Sequence, residues 1–317
     1  MTNTVGWILS IAIAVFWTHA ASSQTYPNKP IRIVTATPGG NNDVMARLLA
    51  QGLTAGLGQN VIVENRPSLL LGGYVSKAPP DGYTLLLSSG SLWLLPYLQD
   101  NVPYDPVKDF SPISLTNRAP NILVVHPSLP VKSVPELIAL ARAKPGTLAY
   151  AAGLAGTSPH LAAELFKSMA RVNILGIHYK GAVAGLNDLI GGQVQLMFAT
   201  TSAAMPHVKS GRLRGLASTS AVTSKLLPDF PTVAATLPGY KSEAEYGMWA
   251  PSKTPPAIIN RLNQEIVHIV TQPAVIEKFF NAGLESVGSS PEQFDAEIRS
   301  DMARMGKVIK DAGIRAN

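Results

Sequence analysis

The 317-residue chain is 46% hydrophobic and only 15% charged, enough apolar sequence for two cores or one large α/β unit, and too much for disorder. It has no cysteine, which excludes disulfides, thiolate metal sites, a cysteine nucleophile and a lipidated N-terminal cysteine. Its net charge of +6 is spread along the sequence, with no run of five like charges and no aromatic-interleaved basic stripe, so nucleic acid is not an expected partner.

Residues 5–17 are apolar apart from Gly6 and Ser10, too short for a bilayer span. Ala20, Ala21, Ser22 and Ser23 follow, then Gln24, the order of a signal-peptide core and cleavage zone. Residues 1–4 lack the usual Lys or Arg. Residues 1–24 are read as a signal peptide cut between Ala20 and Gln24, giving a periplasmic mature chain.

Residues 31–36 form a β-branched run that predicts a buried strand. The loop 37–43 leads into a helix with apolar positions at Val44, Leu48, Leu49 and Leu53, capped by Asn42 or Asp43. Strands follow at 60–64 and, after the Pro-Pro-Asp-Gly turn of 79–82, at 84–87. The alternation continues with a strand at 122–125, a helix at 134–144 ended by Pro145 and Gly146, a strand at 148–151 and a helix at 159–169. A helix at 181–190, a strand at 193–198 and helices at 256–271 and 291–312 complete the series. Strands separated by helices predict an α/β fold with parallel sheets covered on both faces.

In such sheets ligands sit beyond the carboxyl ends of the strands. Three loops there carry small or hydroxyl residues into a helix start: 37–43, 156–160 and 179–181. A helix N-terminus offers free N–H donors and about half a positive charge, which suits an anion. Ser158 as cap and Pro159 as first helical residue fit a helix start, and capping alone is the plainer reading of Thr157 and Ser158. Lys180 either neutralises a carboxylate or stands as a surface lysine.

Catalytic signals are poor. The nucleophile-elbow, zinc-protease, P-loop and dinucleotide motifs do not occur, and the six histidines lack metal-ligand spacing. His160 and His178 are placed to meet in the fold, with His160 more at home as a structural hydrogen-bond donor. No enzymatic activity, metal or cofactor is expected.

Seven motifs, in order, carry a family resemblance over the whole mature chain. They are Tyr-Pro-Asn-Lys-Pro-Ile-Arg-Ile-Val at 26–34, Val-Ile-Val-Glu-Asn-Arg-Pro at 61–67, Lys-Ala-Pro-Pro-Asp-Gly-Tyr-Thr-Leu at 77–85 and Val-Pro-Tyr-Asp-Pro-Val-Lys-Asp-Phe at 102–110. Gly-Thr-Ser-Pro-His-Leu at 156–161, Tyr-Lys-Gly at 179–181 and Gly-Gly-Gln-Val-Gln-Leu-Met-Phe at 191–198 follow. The sequence resembles the Bug family, the extracytoplasmic solute receptors of tripartite tricarboxylate transporters. The resemblance implies a type 2 periplasmic binding protein fold, two doubly wound α/β domains joined by two crossing strands. The crossings would be residues 121–125 and 246–250. One domain would comprise 25–121 plus 248–317, and the other 122–247.

It also implies a monomer that closes on a small organic carboxylate and passes it to integral-membrane transporter subunits, or, as an alternative, to a signalling partner. The matching loops assign ligand binding to Thr37, Gly39, Gly40, Asn41, Asn42, Asp43, Gly156, Thr157, Ser158, His160, Tyr179, Lys180, Gly181, Ala199 and Thr200, with Ser89 and Ser91 beside them. Three departures stand out. Asn41 and Asn42 replace the glycine-rich pattern of the first loop, and residues 68–73 are more apolar than the family's glycine-rich stretch. Ala199 stands where many members carry an acid. Loss of that acid predicts a carboxylate that is not an amino acid. The apolar runs 69–71 and 92–95 are either pocket wall or ordinary core.

Overall fold

Strands and helices alternate in the computed structural model, which describes residues 26–38, 41–153 and 155–315. The expected signal peptide, residues 1–24, lies outside the described residues, as do Gly39 and Gly40. In chain order the first half runs β1 (Ile31–Thr35), α1 (Asn41–Leu57), β2 (Val61–Asn65), α2 (Ser68–Val75), β3 (Thr84–Ser89), α3 (Ser91–Leu98) and β4 (Phe110–Val125). The middle holds α4 (Val134–Ala143), β5 (Ala149–Ala152), α5 (Ser158–Ala170), β6 (Leu175–His178), α6 (Ala182–Ile190), β7 (Leu196–Thr200), α7 (Thr201–Lys209) and β8 (Arg214–Ser218). After a short 3-10 turn come β9 (Glu243–Pro251), α8 (Pro256–Val270), α9 (Pro273–Asn281), β10 (Glu285–Ser286) and α10 (Pro291–Asp311).

The fold is α/β, with two domains joined by crossing strands. The main strand order is β2-β1-β3-β9-β4-β7-β5-β6, and β8 and β10 also pair with β4. Parallel pairing holds within β2-β1-β3 and within β7-β5-β6. Where β9 and β4 enter, every pairing is antiparallel, so the expectation of parallel sheets is corrected to mixed ones. The reason is that β9 and β4 arrive by crossing rather than by a strand-helix-strand step.

The long strand β4 is the pivot. Its residues 110–120 pair with β9, while 121–125 pair with β7 on one side and β8 on the other. The expected crossing at 121–125 is therefore the second-sheet portion of a longer strand. Its first part was unreadable because Pro112, Pro120 and a run of polar residues argue against a strand. Register shifts after Pro112 and Leu115 accommodate this sequence.

Alternation along the strands assigns their faces. Ile31, Ile33, Leu85 and Leu87 pack with Met45, Leu49, Leu262 and Ile266 of α1 and α8. Val34 and Leu86 point the other way, into a core that continues through Leu123, Phe166, Phe198, Trp249 and Phe294. Ile122 and Val124 face a third cluster with Leu186, Leu189 and Met197. Each fully buried aliphatic or aromatic side chain contributes roughly 1.5–3 kcal/mol relative to exposure, so apolar layers on both faces hold the helices against the sheets.

Trp249 packs on Phe294 of α10 at 4.8 Å between ring centroids, and Trp93 of α3 joins them at 5.8 Å from Trp249. Gly247 makes this possible, since a Cβ there would lie 2.1 Å from the Phe294 ring. A capping box at Ser290 and Gln293 starts α10. Helices α2 and α3 went unread because their continuous apolar runs, Gly72-Gly73 and Pro96 show no helical period.

Candidate functional site

Four helix starts converge on one cavity of about 470 Å³. Asn41 begins α1, Ser89, Gly90 and Ser91 lead into α3, Gly156, Thr157 and Ser158 into α5, and Thr200, Thr201 and Ser202 into α7; all of them line the cavity. The cap residues of α3, α5 and α7 make no side-chain capping bond, so these helices do not close their first-turn N–H groups with their own caps. About half a positive charge at each N-terminus makes the convergence attractive to an anion.

Side chains lock the helix starts together. Asn121 Nδ2 donates to Ser158 Oγ at 2.7 Å, and Thr201 Oγ1 donates to the Pro120 carbonyl at 2.7 Å, so the β4 crossing point holds both α5 and α7. Asn41 Nδ2 reaches the Tyr246 hydroxyl at 3.3 Å, tying α1 to β9. Ser89 and Ser91 share a hydrogen bond of 3.0 Å. Gly156 has φ +77, and a Cβ there would lie 2.6 Å from Leu98 Cδ1, so the loop needs glycine both for its backbone and for its space.

Of the expected site residues, Asn41, Ser89, Ser91, Gly156, Thr157, Ser158 and Thr200 come together in this cavity. Those of the others that are among the described residues do not line it. Thr37 is exposed, Asn42 is half-buried, and Gly39 and Gly40 lie outside the described residues. Asp43 is buried and holds its surroundings, pairing with Arg47 at 3.0 Å and accepting from Asn65 Nδ2 at 2.8 Å. Lys180 is exposed and Gly181 caps α6. Ala199 is fully buried in the core behind β7, so its identity does not bear on what a ligand meets.

His160 and His178 do meet, edge to face at 5.2 Å, but in a separate hollow behind the loop that precedes α5, with Tyr179, Glu164 and Lys167. His160 acts as an acceptor, taking the Gly156 N–H on Nδ1 at 3.2 Å, where a donor was expected. Burial lowers its pKa; Glu164 opposes this, while His178 and Lys167 add to it. Thr157, not Ser158, is the α5 cap, and Ser158 is the first helical residue, its hydroxyl occupied by Asn121.

The apolar runs divide. Leu69, Leu94 and Leu95 line the cavity with Leu98, Leu161 and Met305, whereas Leu71 and Leu92 are core. Sequence reasoning missed Asn121, Thr201, Ser202, Tyr246 and the acids Glu243, Glu245 and Asp301, all in the lining. Thr200 to Ser202 carried a legible signal, three hydroxyls between a strand and a helix. The β9 and α10 residues carried none.

Residues 45–314 match the tripartite tricarboxylate transporter family receptor. The chain belongs to this receptor family. A relative in Bordetella pertussis, the protein BugT, is 37% identical over 93% of this chain and 92% of its own length. A solved R. palustris protein, Rpa4515 with adipate, is 35% identical with a TM-score of 0.72, covering 92% of this chain and all (100%) of that one. A TctC solute-binding protein from Polaromonas, solved without ligand, superposes with a TM-score of 0.83 at 26% identity, covering 90% of this chain and 100% of its own. Family and fold are thus those of solute-binding receptors. No helix among the described residues of this receptor is long and apolar enough to cross a membrane.

Proposed function

We propose that the protein is a periplasmic receptor that captures a small organic carboxylate in the cavity where four helix starts converge and delivers it to a membrane transporter. The convergence itself carries this reading: among the described residues the lining holds helix N-termini and hydroxyls and no Lys, Arg or His, a donor set suited to one carboxylate group. Membership of the transporter receptor family supports delivery to a permease, and the adipate in the R. palustris structure supports the ligand class.

The two domains, taken as 25–121 with 248–317 and as 122–247, would close by bending at the β4 and β9 crossing. Asn41, Ser89, Ser91, Tyr246, Asn121, Gly156, Thr157, Ser158 and Thr200 to Ser202 then surround the ligand, and the receptor works as a monomer.

Thermal melts of the mature chain against mono-, di- and tricarboxylates, each paired with its amide, test this. A ligand at about a hundred times its Kd adds about 2.7 kcal/mol of stability, which raises Tm by several degrees. Carboxylates are expected to shift the melt and amides not. No shift across the panel at millimolar ligand overturns the reading.

A further inference from the structure

Of the large apolar side chains exposed among the described residues, Leu69 alone also lines the cleft cavity. It is 55% exposed, while Leu94, Leu98, Leu161 and Met305 in the same lining are at most 5% exposed. A lone leucine on an open surface asks for no explanation. One inside a binding cavity is apolar area that a ligand can cover.

Helix α2 fixes where this side chain stands. Leu71, Gly72 and Val75 are its buried residues, and Gly72 lies so close to Tyr104 that a Cβ would stand 2.2 Å from the ring. A Cβ on Gly73 would lie 2.8 Å from Pro103 Cγ. Arg66, just before the helix, stacks on the Tyr74 ring at 3.7 Å and pairs with Glu64. These contacts clamp α2 against the 103–104 segment and leave Leu69 on the flank that meets the cavity. The leucine is therefore in place before a ligand arrives, and little ordering is needed when one covers it.

The acids of the cavity wall do not ask for a ligand group of their own. Glu243, Glu245 and Asp301 are paired with Arg118, Lys241 and Arg304. Resting on the carboxylate-receptor reading, we propose that Leu69 is the specificity-determining residue of this cavity: among carboxylates it selects those whose apolar body is long enough to cover it. The helix starts take the carboxylate, and Leu69 with the half-buried Leu95 takes the body. Covering the leucine and burying the ligand's methylenes both remove apolar area from water, so the gain grows with chain length.

Calorimetric titration of the mature chain with butanoate, hexanoate and octanoate tests this. A fully buried methylene raises affinity about fourfold, so octanoate is expected to bind at least about thirtyfold more tightly than butanoate. Leu69→Ser is expected to weaken octanoate about five- to tenfold while leaving butanoate within about twofold. Leu69→Met, which stays apolar, should restore octanoate binding. Because the side chain is exposed, both variants should keep Tm within about two degrees, and the ladder in the unsubstituted protein is decisive even without them. A flat ladder, or a ladder that Leu69→Ser leaves unchanged, overturns the assignment of Leu69 and leaves the receptor reading standing. So does failure of all three acids to bind when another carboxylate of the melting panel does. If no carboxylate of either set binds, the receptor reading falls, and the assignment of Leu69 with it.

Discussion

Two hollows flank the loop that leads into α5, and they differ in kind. The cleft cavity, about 470 Å³, is ringed by helix starts, three of which have no side-chain cap bond. The hollow behind it is larger, about 580 Å³, and richer in ionisable groups: Tyr150, His160, Glu164, Lys167, His178, Tyr179 and Arg315. There the groups satisfy one another. Glu164 takes the Tyr150 hydroxyl at 2.6 Å and Lys167 at 2.7 Å, Tyr179 donates to Asp188, and Arg315 pairs with Asp100. Size and titratable groups alone do not mark a binding site. Convergent helix starts that their own cap side chains leave open do, because a ligand there completes them.

The largest expected effect that sharpens this contrast is at Thr157. Asp is a good helix cap, so Thr157→Asp is expected to fold with an unchanged or higher Tm. Its carboxylate takes the place meant for the ligand's, and carboxylate affinity should fall at least about a hundredfold by titration. Next, Asn121→Ala removes the 2.7 Å bond to Ser158 and should weaken binding about five- to tenfold, roughly 1 kcal/mol.

A smaller effect concerns pH and has opposite signs in the two hollows. Burial pushes Glu245 up to about 7, with Glu297 and Asp301 raising it and Lys241 opposing. Arg118, Arg304, Glu243 and Glu285 stand in the same charge cluster. The folded chain holds that proton more tightly than the unfolded one, so its contribution is complete below the ordinary carboxylate pKa and lost as pH rises through about 7. His160 is the reverse: its depressed pKa contributes above the ordinary histidine value, and that contribution fades as pH falls below it. In melts from pH 5 to pH 8, Glu245→Gln should gain on the unsubstituted protein as pH rises, and His160→Gln should gain on it as pH falls. The smallest effect is at His178→Ala, expected to change carboxylate affinity by less than about twofold. A large loss there would break the distinction between the hollows.

The alternation of strands and helices was legible because its signals are local: β-branched runs, caps, and Pro-Gly punctuation. The loops carrying Ser158 and Asn41 were legible for the same reason, since hydroxyl and amide residues before an apolar helix are local chemistry. Asp43, His160 and Ala199 were misplaced because a residue beside a binding loop points into the site or away from it according to packing that its neighbours do not reveal. Asp43 turned to Asn65, and Ala199 into the core. The acids on β9 and α10 were unreadable, since they reach the cavity only through pairings between distant segments.

That distance matters for assembly as well. Because β4 pairs antiparallel with β9, Phe110 meets Pro251 and Pro120 meets Glu243, and β3 is flanked on one side by β9 alone. A chain in which β9 has not yet joined the sheet therefore displays β3, with the buried Leu85, Leu86 and Leu87, as an open apolar edge. Residues 126–242 separate β4 from β9, so covering that edge is a slow, non-local closure. Until that closure is made, the β3 edge is where a folding chain is open to self-association.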